Sequence, residues 1–198
     1  MRISKPYQPP LERWRRAVPL AANDPLRDWL ENRASLTARI RARCTTFEVR
    51  VLRQRVARPL TDELAVLGLR AHSVALIREV LLVADGVPVV FAHSVVLPRH
   101  VRGVWHLVAG LGTQPLGAVL FADPAVTRGR LHFRQLDARD LRWQLAAEAI
   151  AGTPPKRMWA RRSVFLRRGR PLLVTEVLLP SLFELDRDAD RAAPRRPA

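Results

Sequence analysis

Two β-hairpins, helical stretches that interrupt rather than alternate with strands, and an ample apolar fraction predict an α+β domain: a single antiparallel β-sheet with helices packed on it. The first hairpin is "HSVALIREVLLVADGVPVVFAHSVVLP", residues 72–98, in which two β-rich runs flank Asp85-Gly86, a strong tight-turn signal. The second is "MWARRSVFLRRGRPLLVTEVLLP", residues 158–180, with Arg168-Gly169 at its tip. No regular strand–helix alternation is present, which argues against a parallel doubly wound sheet.

Taken in order, residues 1–23 are rich in Pro and Arg and are expected to form a loosely held extension. "NDPLRDWLENR" predicts a helix start, with Asn23 or Asp24 as cap, Pro25 in the first turn, and Leu26, Trp29 and Leu30 at helical spacing. "ASLTARIRARC" predicts a second helical segment with Leu36, Ile40 and Cys44 roughly in line. "TFEVRVLRQRV" alternates and predicts a strand with Phe47, Val49 and Val51 inward. "TDELAVLGL" predicts a short helix capped by Thr61 or Asp62 and ended near Gly68. After the first hairpin come a helix around Val101 to Val108, a glycine-rich turn, and a short helix after Pro115. "RGRLHFRQLD" returns to alternation, and the Ala and Glu content of "LRWQLAAEAIAG" favours a helix. Residues 186–198 are expected to be a disordered tail. One domain over residues 24–185 accounts for the rest, without internal repeats.

Composition narrows the classes further. The single cysteine, Cys44, excludes an internal disulfide framework and a multi-cysteine metal site, and reads as a small core residue. A net charge of +16, carried almost wholly by arginine, raises the weight of an anionic partner. The arginines are nevertheless spread along the chain, Trp14, Trp105, Trp143 and Trp159 are scattered, and no RNA-binding signature occurs, so nucleic acid is not the expected partner. The N-terminus carries positive charge with no continuous apolar run behind it, so no signal peptide is read. The most apolar region, Val80 to Leu97, is broken by Asp85, Gly86, Pro88, His93 and Ser94; it reads as two strands and a turn, with no stable membrane insertion. A cytoplasmic location is the expectation.

Two positions stand out when strand parity is applied. In "PLLVTEVLLP", residues 171–180, Glu176 shares a face with Leu172, Val174 and Leu178. In "SVALIREVLLVAD", Arg78 is the one charge among Val74, Leu76, Val80 and Leu82. An isolated charge on an apolar strand face is costly unless it is paired or has a task. The pair can be a buried Arg78–Glu176 bridge, or each can have its own partner. Alternatively the arginine grips a ligand carboxylate in bidentate fashion while the glutamate orients a hydroxyl or takes part in proton transfer. The turn "GLGTQPLG", residues 110–117, matches no phosphate-binding pattern and reads as a helix-ending turn. His72, His93, His100, His106 and His132 lack metal-ligand spacing and read as surface or partly buried polar residues.

"SLTARI", "IREVLLVADGVPVVFAHSVV", "GLGTQPLGAVLF", "WARRSVF" and "GRPLLVTEVLLP", in this order, resemble the chorismate pyruvate-lyase family over about Asp24 to Leu185. The resemblance implies conversion of chorismate to 4-hydroxybenzoate and pyruvate, the entry step of ubiquinone biosynthesis. It also implies an internal ligand site under helical flaps, no metal or organic cofactor, and a monomer. By motif, Arg78 would hold the ring carboxylate and Glu176 would meet the 4-hydroxyl end, these two being the catalytic candidates. Leu116 would contribute its backbone to the carboxylate site, and Leu36 would close an apolar lid over it. Two departures from the family's pattern are visible: "DLRWQLAAEAIAGTPPKRM" is longer than the corresponding connection, and Gln114 precedes Pro115 where a basic or small polar residue is expected. Regulators of one large family carry an effector module of related fold, which makes ligand sensing without catalysis the alternative. A winged-helix segment would be expected in front of such a module, and 23 residues are too few for one.

Overall fold

Asp24 opens the first helix by accepting a hydrogen bond from the Leu26 amide at 2.9 Å, with Pro25 at the position where no amide hydrogen is needed. Helix α1 spans Pro25–Glu31, and Ser35 caps α2, Leu36–Arg41, through the Ala38 amide. The structure, a computed structural model, describes residues 14–186. Most of the expected N-terminal extension and of the tail therefore lies outside the described residues. Within them, Trp14 donates to Asp62 at 2.6 Å, Val18 is buried, and Asp186 accepts from Trp29.

Strand β1 runs from Phe47 to Ala57. Val49 is buried as parity predicts, but Val51 is 38% exposed. Val51 still pairs with Val80 on the same face as Val49 opposite Leu82, and the register shifts only after it; it is exposed because β1 is the edge strand, with no further strand beside it. Helix α3 spans Thr61–Leu67 and ends at Gly68, whose φ of 62° suits glycine. Neither Thr61 nor Asp62 caps it. Leu60 stands at the cap, and the Glu63 carboxylate reaches back to the Leu60 amide at 2.9 Å.

Strands β2, Ala75–Ala84, and β3, Val87–Val96, form the first hairpin. Asp85 and Gly86 turn it with φ values of 47° and 80°, the double left-handed conformation that right-twisted hairpins favour. Gly86→Ala should cost about 1 kcal/mol of stability in urea denaturation, because the strain is conformational and no atom crowds the added methyl group.

The single helix expected over residues 101–108 is instead two one-turn helices, α4, Pro98–Val101, and α5, His106–Ala109. Gly103 weakens the intervening turn, and the Trp105 amide reaches the His100 carbonyl while its ring inserts into the core and donates to the Arg170 carbonyl at 3.0 Å. Helix α6, Leu116–Ala122, follows Pro115 as predicted. Strands β4, Val126–Arg128, and β5, His132–Leu136, precede α7, Leu141–Ala147, which Asp140 caps. Strands β6, Met158–Arg167, and β7, Arg170–Leu178, form the second hairpin.

All pairings are antiparallel, in the order β1-β2-β3-β7-β6-β4, with β5 also on β6. The α+β expectation is met. One face of the sheet packs on α1, α2 and the α4–α6 region; the other packs on α3 and α7. On the first face the register aligns four strands into rows. Leu76, Val96, Leu172 and Phe165 form an apolar row, Arg78, Ser94, Val174 and Ser163 the next, and Val80, Ala92, Glu176 and Arg161 the third. Leu82, Val90 and Leu178 restore an apolar row beyond them.

Candidate functional site

The two polar rows explain where a hollow forms. Ser94 and Ala92 are small, so they leave space between the larger apolar rows on either side, and that space is roofed by helices. The empty space there, counting solvent at its mouth, is about 570 Å³. The roof comes from Leu36 and Thr37 of α2 and from Leu116, Leu120 and Phe121 of α6. These helices meet at Gly117, where a Cβ would lie 3.0 Å from Thr37 Oγ1, so any side chain there would press on the Thr37 side chain of the other flap.

All four residues singled out from the sequence line this one hollow: Leu36, Arg78, Leu116 and Glu176. Arg78 and Glu176 do not pair with each other. Arg78 is 2% exposed, and its Nη2 donates to the Gly112 carbonyl at 2.9 Å and the Gln114 carbonyl at 3.3 Å. Its Nε is buried with no partner, and no carboxylate lies within 4.0 Å of it, among the described residues. Burial pushes its pKa down from the usual arginine value. The glycine turn thus has a structural task, to offer carbonyls that aim the guanidinium. Leu116 is the first residue of α6, where amides have no intrahelical acceptor.

Glu176 is bound by Arg161, whose Nε donates to Oε2 at 2.7 Å. Arg161 is 1% exposed and is itself fixed by the Trp29 and Asn32 carbonyls, each at 2.9 Å. Its Nη2 is buried without a partner among the described residues. Parity could have found Arg161: it shares a face with Ser163 and Phe165, whereas the adjacent Arg162 points to the reverse side. A third arginine, Arg128, also lines the hollow. Its Nε donates to Ser163 Oγ at 2.9 Å and its Nη1 to the Arg33 carbonyl at 2.8 Å. Burial lowers its pKa to about 10, so it remains a cation at neutral pH. Its three-residue strand is too short for alternation to reveal it.

A second polar cluster lies behind the floor of the hollow. Glu79, His93, Thr175 and Arg162 form the row on the reverse face, joined by Asp62 and Glu63 of α3 and by Arg142 of α7. His93, read from the sequence as a surface or partly buried residue, is 2% exposed and lies between two buried carboxylates, Glu63 and Glu79.

The family described as "Chorismate lyase" matches residues 11–188. "Probable chorismate pyruvate-lyase" of Aromatoleum aromaticum is 59% identical over 162 residues, 81% of this chain and 87% of that protein. A protein of the same name in an Azoarcus species is 52% identical over 180 residues, 89% of this chain and 95% of that protein. Among solved structures, PhnF from Mycobacterium smegmatis has a TM-score of 0.53 at 16% identity, covering 76% of this chain and 65% of that one. A GntR-family transcriptional regulator from Bacillus cereus has a TM-score of 0.51 at 11% identity, covering 77% and 97%. At such identities these two likenesses concern the fold alone.

Proposed function

The chain belongs to the chorismate lyase family and is a chorismate pyruvate-lyase, and we propose that chorismate reacts in the hollow between Arg78 and Glu176 to give 4-hydroxybenzoate and pyruvate. The observation that carries the site reading is that two opposite charges from separate hairpins converge on one roofed hollow without neutralising each other.

The chemistry needs little from the protein. A proton leaves ring C4 of chorismate, the C3–oxygen bond breaks, and its electron pair departs with the enolpyruvyl oxygen. The ring becomes aromatic, and the departing enolate takes up a proton at its methylene carbon to become pyruvate. Aromatisation supplies the driving force. The protein therefore has to orient the ring, hold its charges and exclude water. Arg78 grips the ring carboxylate through the edge of its guanidinium left open by the loop contacts, assisted by the amide of Leu116. Glu176, held in place by Arg161, accepts from the 4-hydroxyl and fixes the C3–C4 end. Leu36 and Leu116 close over the ring, where apolar contact keeps out water. Positioning is the principal role of Glu176, and proton transfer at C4 is the secondary one.

The site as assigned uses Leu36, Arg78, Leu116 and Glu176 of a single copy of the chain, and a monomeric enzyme is part of the proposal. No helix among the described residues is long and apolar enough to cross a membrane; action in the cytoplasm, supplying 4-hydroxybenzoate to ubiquinone biosynthesis, completes the proposal. The test is to incubate the purified protein with chorismate in the presence of a chelator and follow both products. Equimolar 4-hydroxybenzoate and pyruvate are expected. Accumulation of 3-hydroxybenzoate would contradict the assigned regiochemistry. Tight binding of 4-hydroxybenzoate with no turnover would instead indicate a ligand-sensing module.

A further inference from the structure

The hollow carries more positive charge than one carboxylate needs. Its lining holds three arginines, Arg78, Arg128 and Arg161, against one carboxylate, Glu176. Arg161 spends its charge on Glu176. Arg78 and Arg128 are the two cations left over, and among the described residues neither meets a carboxylate within 4.0 Å. Arg78 is buried and Arg128 half-buried, with Glu176 acting on Arg128 only at longer range; holding cations out of water without a contacting counter-anion is costly, so two such groups facing one hollow describe a site for a ligand with two negative charges.

Their placement fixes the geometry of that ligand. Arg78 begins the row that continues through Ser94 and Val174 to Ser163, and Ser163 Oγ accepts from Arg128 Nε at 2.9 Å. The two guanidinium groups therefore approach from opposite ends of a single row, whose terminal strands are three spacings, roughly 14 Å, apart. Arg128 is fixed on its outer side by the Arg33 carbonyl, and its plane is flanked by Phe121 and Phe165 at 5.5 Å and 5.3 Å. It lies at the wetter end of the site, since Phe121 is 43% exposed whereas Phe165 is 3% exposed. A group held there can depart without passing the Arg78 end.

Chorismate is such a dianion: one carboxylate is on the ring and the other is on the enolpyruvyl arm. We propose that Arg128 holds the enolpyruvyl carboxylate, as a second anion anchor opposite Arg78. This rests on the chorismate reading above. The anchor recognises the substrate and not its aromatic product, because 4-hydroxybenzoate keeps only the ring carboxylate. Arg78 therefore serves both molecules, and Arg128 serves only the one that still carries its leaving group.

The experiment uses that asymmetry. Arg128→Met should raise the KM for chorismate about 10- to 100-fold, the loss of one charge-assisted contact, and leave the affinity for 4-hydroxybenzoate, read by equilibrium titration, within twofold of wild type. Arg128→Lys should recover part of the KM. An unchanged KM overturns the assignment. So does a parallel loss of 4-hydroxybenzoate binding, which would make Arg128 a strut between Arg33 and the sheet. A third measurement does not depend on turnover. Wild type should prefer 3-(carboxymethoxy)benzoate, a stable dianion, over the monoanion 3-methoxybenzoate, and Arg128→Met should lose that preference. Preference retained in the variant overturns the anchor. Wild type that binds the dianion selectively but leaves chorismate intact overturns the function reading and not the anchor.

Discussion

Arg78→Met should lower kcat/KM for chorismate by about 100- to 1000-fold while the protein stays folded. The estimate combines two effects: loss of a charge-assisted contact, about 1.5–3 kcal/mol, and the penalty of leaving the ring carboxylate unpaired in a low-dielectric hollow, which takes removal of one partner of a buried charge pair to about 2–5 kcal/mol. Unlike replacement of Arg128, this substitution should weaken 4-hydroxybenzoate as well, because substrate and product share the ring carboxylate. Arg78 also supports the Gly112 and Gln114 carbonyls, so a thermal melt has to accompany the kinetics. Arg78→Lys separates the two roles: it keeps a positive charge but loses the planar fork, and should recover only a minor part of the activity. Glu176→Gln is the companion measurement. It preserves shape but removes the charge that Arg161 answers, leaving a buried guanidinium without its carboxylate. Its larger effect is expected in kcat, since the group acts at the C3–C4 end where bonds change. Full activity in both variants would remove these residues from the site.

Much of this was legible in the sequence because a strand writes its two faces in alternate letters. Arg78 and Glu176 showed themselves as single charges in apolar registers, and the same rule yielded both hairpins and their turns. The rule failed where its premises did. At Val51 the period holds, since the residue pairs with Val80, but the strand is at the edge of the sheet and an inward valine there stays 38% exposed. Over residues 98–109 a tryptophan that must enter the core split one expected helix into two turns. Arg161 and Arg162 are adjacent, so opposite faces acquire a charge at once and neither looks isolated. Arg128 sits on three residues of strand, where no period can be read, and its partners, Ser163 and Arg33, are 35 and 95 residues distant. What the sequence could not convey was the pairing among distant charges, which depends on tertiary register. Parity could state that Glu176 needed a partner, but not that Arg161 rather than Arg78 would provide it.

The reverse face of the same floor sets the second large expectation: stability should fall steeply between pH 6.5 and 9. His93 Nδ1 lies 3.3 Å from Glu79 Oε1 and its Nε2 3.2 Å from Glu63 Oε1, while Arg142 Nη1 is 3.4 Å from that same Glu63 oxygen. Burial opposes charge on the imidazole, but the adjoining Glu63 and Glu79 carboxylates outweigh it and raise the pKa to about 9. The folded value exceeds the unfolded one, near 6.5. Folding therefore gains from this proton fully below pH 6.5, and the gain disappears as pH climbs through 9. For a shift of that size the loss is on the order of 3 kcal/mol. Urea denaturation at pH 6, 7.5 and 9 measures it. His93→Gln should be less stable than wild type at pH 6, where Glu63 and Glu79 lose the cation they share and keep only Arg142 and Arg53, and should have lost the alkaline slope. A wild-type stability that is flat from pH 6.5 to 9, or a variant that keeps the slope, would remove His93 as its source. The consequence reaches the hollow, because Ala92 and Ser94, on either side of His93 in β3, are part of its floor. Loss of the proton leaves the two buried carboxylates Glu63 and Glu79 with only Arg142 and Arg53 as cations, directly behind the floor of the hollow. Catalytic efficiency should therefore decline over the same pH interval as stability, through the strand that carries both.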